Sequence, residues 1–109
     1  MTYPQGAVVV ATDPFGNTPR RPYLVVSNDT LPFSGEEYIA LGITTTERSA
    51  AIELTDARFR QGELPRTSYV SPWAVVTLKD DAIDPQPALL DDNTVETARS
   101  ELLTYLTVE

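Results

Sequence analysis

Through about the first hundred residues the apolar positions come in short runs, and Pro, Gly, Asp and Asn punctuate the gaps between them. This is the pattern of a compact β domain, not of a helical one. Six strands are expected, over residues 7–12, 23–28, 38–44, 51–54, 69–70 with its neighbours, and 73–78. The runs Val8-Val9-Val10, Leu24-Val25-Val26 and Val75-Val76 are continuous, which implies strands covered on both faces, as in the middle of a small barrel. Segment 51–54 alternates, with Ile52 and Leu54 on one face and Glu53 on the other, and reads as half exposed. Turn chemistry marks three loops, 13–19 (Asp13-Pro14-Phe15-Gly16-Asn17-Thr18-Pro19), 29–35 and 80–87. The third carries Asp84-Pro85 and Pro87 and is expected to separate the sheet from a C-terminal helix.

That helix is expected over 93–106. Asn93 can cap it, and Glu96 three positions later completes a capping box. Val95, Ala98, Leu102 and Leu106, with Tyr105 beside them, fall on one face, which either docks on the sheet or receives a partner. The fold class is therefore mainly β with one C-terminal α-helix. A chain of 109 residues with 41% hydrophobic content has the size and core material of one domain, spanning 1–109.

With neither Cys nor His, the chain lacks the ligands of the common zinc, iron–sulfur and haem centres and the base of a Ser/His/Asp triad. Carboxylates, hydroxyls, seven Arg and Lys79 are what remain for chemistry. Absence of Cys suits a reducing compartment. Ala7–Ala11, the longest apolar stretch near the N-terminus, is too short for a signal peptide core or a membrane span, so a cytoplasmic protein without membrane contact is expected. The net charge is −8, from 8 basic and 16 acidic residues, and the acids are dispersed along the chain. Such a surface resembles that of haloarchaeal proteins: it stays hydrated in molar salt, where the Debye length is about 3 Å and self-repulsion is weak. The same screening relaxes the objection that an acidic protein cannot hold nucleic acid. The alternative is an ordinary acidic protein that avoids polyanions.

The stretch Arg20-Arg21-Pro22-Tyr23-Leu24-Val25-Val26-Ser27-Asn28-Asp29 places two arginines at the end of a loop just where a buried strand begins. Pro22 biases Arg21 to an extended conformation, and a guanidinium held there can clamp a phosphate or carboxylate. A surface salt bridge to one of the many acids is the competing reading. Trp73 can stack an unpaired base, although its flanks Pro72 and Ala74-Val75-Val76 suit a core position better. Arg58, Arg60 and Arg66 can track a phosphate backbone or pair with surface acids. Asp29 is a candidate acid or base, or a turn cap. Neither Asp80-Asp81 nor Asp91-Asp92 sits in a metal-binding frame, and no metal is expected.

The ordered set Gly6-Ala7-Val8-Val9-Val10, Asp13-Pro14, Arg21-Pro22-Tyr23-Leu24-Val25-Val26-Ser27-Asn28-Asp29 and Tyr38-Ile39-Ala40-Leu41-Gly42-Ile43-Thr44-Thr45 resembles the MazF/PemK toxins. Leu64, Ser68-Tyr69-Val70 and Val76-Thr77-Leu78 match that family's later strands more loosely. The resemblance implies a small SH3-like antiparallel barrel of the CcdB/MazF type over residues of about 5–80, with the helix following. It also implies a homodimer, a cognate antitoxin protein as partner, and cofactor-free, metal-independent cleavage of single-stranded RNA. By motif position Arg21 and Thr44 correspond to the family's catalytic pair. Arg20, Asn17, Ser68 and Trp73 are then the candidate substrate contacts. Attack of an RNA 2′-OH on its own phosphate builds extra negative charge, which fixed donors stabilise. Arg21 is too weak a base to take a proton, so charge stabilisation is its expected role, with proton donation to the leaving oxygen secondary. Thr44 offers a neutral donor, or else a hydroxyl that merely meets the backbone. Two departures stand out: Ala7 replaces the usual acid after the first Gly, and the loop before Arg21 is short, which leaves the general base unassigned. A non-catalytic nucleic-acid- or protein-binding module on the same fold, or a purely structural interaction domain, are the alternative readings.

Overall fold

A computed structural model describes residues 2–12 and 20–108. The expected loop 13–19, with Asn17 in it, lies outside the described residues. The elements are β1 (Ala7–Ala11), β2 (Arg21–Val25), β3 (Glu37–Thr44), β4 (Ile52–Glu53), β5 (Phe59–Gly62), β6 (Tyr69–Lys79), β7 (Ile83–Leu90) and α1 (Asp92–Leu106). Short 3-10 turns at Asp56–Arg58 and Asp80–Ala82 lead into β5 and β7. All strand pairings are antiparallel and form one sheet in the order β4-β6-β3-β2-β1-β7-β5, curled into a half-barrel.

The runs at Val8-Val9 and Leu24-Val25 fill both faces of this sheet, whereas in Val75-Val76 only Val76 is buried and Val75 is exposed. Val8, Leu24, Leu41, Ile43, Val70 and Leu90 build a core on the concave side with Val95 and Ala98 of α1. Ala7, Val9, Ala11, Tyr23, Val25, Tyr38 and Ala40 build a second core on the opposite face, against which Tyr3 and Ile83 pack. Strand side chains alternate between faces, so a run such as Val8-Val9 feeds both cores from one strand.

Two departures from the sequence expectation share a cause. Residues 69–70 and 73–78 are one strand, β6, that passes through Pro72, and residues 80–87 are largely strand β7, not a loop. In each case proline sits where the ladder shifts register. Ile43 faces Val70 but Leu41 faces Val75, so Pro72 falls in the extra length of β6. Val8 faces Ala88 but Val10 faces Asp84, so Pro85 and Pro87 fall in the extra length of β7. Proline has no N–H to give to a ladder, and a bulge is where a sheet tolerates it. A third departure, β5, depends on Gly62, whose φ of +70° brings its backbone against Pro87 and Ala88 of β7.

The helix begins earlier than expected. Asp91, not Asn93, is its N-cap: Asp91 Oδ1 accepts from the Thr94 N–H at 2.8 Å and from the Thr94 hydroxyl at 2.5 Å. Arg58 Nη1 donates to the same Thr94 hydroxyl oxygen at 3.1 Å, which ties the cap to the turn before β5. These hydrogen bonds from Thr94 hold the Asp91 carboxyl below the usual carboxylate range, with Arg58 and Arg60 assisting. Glu96 pairs with Arg99 one turn on instead of closing a capping box. The expected apolar stripe docks only in part: Val95 and Ala98 are buried, whereas Tyr105 and Leu106 are exposed.

Candidate functional site

Strand register puts Arg21 and Thr44 together. In the β2–β3 ladder Tyr23 faces Gly42, Leu24 faces Leu41 and Val25 faces Ala40, and two further residues along that register bring Arg21 opposite Thr44. Paired residues of antiparallel strands point to the same face, with Cβ atoms about 5 Å apart. The Arg21 side chain leans from β2 onto β3. Its guanidinium lies 5.8 Å from the centre of the Tyr23 ring, and Nη2 donates to the Ile43 carbonyl at 3.2 Å. Gly42 leaves room for this: a Cβ there would stand 3.6 Å from Arg21 Nη2 and 3.3 Å from the Ala74 Cβ. One N–H is thus anchored beside Thr44 while the rest of the fork stays available for an anion. Among the described residues no carboxylate forms an ion pair with Arg21.

Thr44 ends β3 and is half-buried. Its Oγ1 accepts from the Thr46 N–H at 3.1 Å. The hydroxyl does meet the backbone, as the plainer reading expected, yet it does so as an acceptor, and its own hydrogen remains to be donated.

The other candidates scatter. Arg20 is committed to β1 and β7, ion-paired with Asp84 and donating to the Val10 carbonyl at 3.3 Å. Ser68 is two positions from Val70, whose partner Ile43 lies in the concave core, so Ser68 stands on the face opposite Arg21. There its hydroxyl donates to the Arg66 carbonyl at 2.9 Å. It borders an apolar depression of about 240 Å3 lined also by Val10, Pro22, Thr45, Leu64 and Pro65. Trp73 is not a core residue: 43% of it is exposed. It lies in the extra length of β6 between Val70 and Val75, which the β3–β6 ladder leaves unpaired, and so outside the row that pairs with Thr44. Asp29 lies beyond the far end of β2 in a turn capped by Asn28. Arg58 and Arg60 serve the N-terminus of α1, the latter 3.9 Å from Asp92, so of that basic set Arg66 alone borders the depression beside Pro22. Of the acidic pairs, Asp91 caps α1 and Asp80 accepts from the Tyr38 hydroxyl at 3.1 Å.

Tyr69 and Glu53 escaped the sequence reading. Thr44 faces Tyr69 in the β3–β6 ladder, and Glu53 faces Tyr69 from β4. Burial, with Glu47 and Glu53 nearby, raises the Tyr69 hydroxyl above the ordinary tyrosine value, so the phenol is neutral near pH 7. Arg21, Thr44, Tyr69 and Glu53 therefore form one row across four neighbouring strands. No spacing in the linear sequence signals it, because the row exists only once the register is known.

The curled antiparallel sheet with a C-terminal helix packed against it is a fold known from solved structures. That fold is the one seen in MazF. An endoribonuclease in complex with its cognate antitoxin from a Mycobacterial species superposes with a TM-score of 0.74 over 99% of this chain and 96% of that one, at 20% identity. MazF in a MazE–MazF structure from Deinococcus radiodurans gives 0.72 over 100% and 99%, at 17% identity. The Mycobacterium tuberculosis toxin MazF-mt6 gives 0.68 over 91% and 93%, at 20% identity. No protein-family profile matches the sequence, and no curated protein matches it.

Proposed function

We propose that this chain is a MazF/PemK-type endoribonuclease toxin of a toxin–antitoxin pair, and that it cuts single-stranded RNA without a cofactor. The observation that carries the reading is that the Arg21 guanidinium, bound to the Ile43 carbonyl, stands beside Thr44 at the end of β3 in a sheet with the fold of MazF. In this reaction the 2′-oxygen bonds to the adjacent phosphorus, the bond from phosphorus to the 5′-oxygen breaks, and a 2′,3′-cyclic phosphate and a 5′-hydroxyl result. Arg21 binds the phosphoryl oxygens and meets their growing charge with a donor already fixed by the Ile43 carbonyl. Thr44 adds a neutral donor whose direction is set by Thr46. Preorganised donors of this kind are worth about 100- to 1,000-fold in kcat each.

The cognate antitoxin and a second copy of the chain are the expected partners. The adjacent elements α1 and β6 leave Trp73, Val75, Leu103 and Leu106 exposed, and apolar contacts suit a toxin that is itself acidic. Among the described residues no helix is long and apolar enough to cross a membrane, which agrees with action in the cytoplasm, where single-stranded RNA is accessible. The dispersed acidity supports activity in high salt.

The test is RNA cleavage in molar KCl with chelator present, by wild type, Arg21→Ala and Thr44→Ala, each checked for folding by circular dichroism. Site-specific cuts lost in both variants support the enzyme. A folded wild type that leaves a broad RNA pool intact supports the second reading, a non-cleaving binding module, which draws on the fact that Arg21 and Thr44 already satisfy backbone groups.

A further inference from the structure

We propose that Tyr69 is a substrate-positioning residue whose ring packs against the unpaired nucleotide next to the phosphate held by Arg21 and Thr44. The proposal rests on the ribonuclease reading and extends it to the substrate's flanking base. Three observations on this structure carry it.

The first is position. Tyr69 is the direct ladder partner of Thr44, on the same face, one strand further from Arg21. Neighbouring strands are about 4.8 Å apart, so the ring begins where a nucleotide flanking that phosphate has to lie. The second is the placing of two other aromatics, Tyr23 and Trp73. Tyr23 shares this face but is 2% exposed and sits beneath the Arg21 guanidinium. Trp73, the stacking candidate in the sequence, lies in the unpaired bulge of β6, outside the row that pairs with Thr44. Tyr69 is half-buried, held by its strand yet open on one side. The third is charge. Glu53 lies on the side of Tyr69 away from Arg21, and Glu47 adds negative charge near the Tyr69 hydroxyl, so a polyanion entering the row is drawn towards Arg21 and turned away beyond Tyr69. The phosphate then goes to the cationic end and an uncharged base to the ring. Every base has a π-face, so stacking places the nucleotide without fixing its identity.

The experiment measures cleavage kinetics on a fluorogenic single-stranded RNA together with anisotropy of a fluorescein-labelled, non-cleavable 2′-deoxy oligonucleotide pool, in molar KCl. Wild type, Tyr69→Phe, Tyr69→Leu and Tyr69→Ala are compared. Tyr69→Phe is expected within about twofold of wild type in KM and Kd. Tyr69→Ala should raise both about tenfold, the scale of one lost stacking contact, and change kcat by less than about threefold. Tyr69→Leu, which keeps apolar bulk and strand packing without a π-face, should fall with Ala. Unchanged KM and Kd in Tyr69→Ala overturn the proposal. So does a Tyr69→Phe defect equal to that of Ala, which makes the hydroxyl the working group, or a loss confined to kcat. Wild type that binds the pool without cutting RNA refutes the ribonuclease reading while the anisotropy series still decides on Tyr69. Wild type that neither cuts nor binds overturns both.

Discussion

Replacing Asp91 by Ala tests how the helix is attached to the sheet. The substitution removes the acceptor for the Thr94 N–H and for the Thr94 hydroxyl, and Thr94 is wholly buried. Loss of an N-cap costs about 0.5–2 kcal/mol. A buried hydroxyl left without an acceptor for its proton costs about 1–3 kcal/mol more. The two losses overlap, so roughly 2–4 kcal/mol is expected, equivalent to a melting point lower by about 10–20 °C for a chain of this length. Thermal unfolding followed by circular dichroism at pH 7 measures it. Asp91→Asn, which keeps an acceptor oxygen, should recover at least half of the loss. Asn93→Ala and Glu96→Ala should each stay within about 0.5 kcal/mol of wild type, because both side chains are exposed. The acid dependence has a definite sign. Hydrogen bonds from Thr94 lower the Asp91 carboxyl on folding, so its contribution is complete above the unfolded value of about 3.9 and fades as pH falls through the lower, folded one. The gap between wild type and Asp91→Ala should therefore close on acidification from about pH 5 downwards. Equal melting points for the two at pH 7, or a larger loss from Asn93→Ala, refute this account of the cap.

Two further outcomes follow from packing. Gly62→Ala puts a methyl group into the Pro87 carbonyl and within 3.0 Å of the Ala88 Cα at a φ unfavourable to L residues. It should cost about 2–4 kcal/mol in urea unfolding, with amide exchange fastest in β5; a loss below about 0.5 kcal/mol means that the close approach is not real. Leu103→Glu with Leu106→Glu places two charges on the exposed end of α1 and should lower the sedimentation mass to that of one chain without changing the far-ultraviolet spectrum. An unchanged mass assigns the dimer contact to another face, or gives a chain that was never dimeric.

The central strands were legible because their apolar runs are continuous and long enough to cover two faces. The misread segments all turn on proline or on pairing between distant residues. Pro72, Pro85 and Pro87 are breakers by local rules, and their tolerance at bulges depends on partners far off in sequence. The cap was ambiguous because Asp91, Asp92 and Asn93 can each fill that role, and the choice of Asp91 is settled by Thr94 and Arg58 together. Arg21 and Thr44 were visible only through their motif. Their alignment with Tyr69, the turning away of Ser68 and the place of Trp73 in an unpaired bulge come from the register of the β3–β6 ladder, which a linear reading does not contain.

The sheet ends in β4, which is 2 residues long, and β5, which is 4. An unpaired edge offers its N–H and C=O groups to any other strand, and many acidic proteins keep such edges apart by mutual repulsion. Molar salt removes that protection, since the charge of −8 is screened within about 3 Å. Brevity then has to do what repulsion cannot. It does so only in part: β4 covers the outer side of β6 at Tyr69 and Val70, and from residue 71 to 79 the interruption has to come from Pro72, which has no N–H to offer a neighbouring chain.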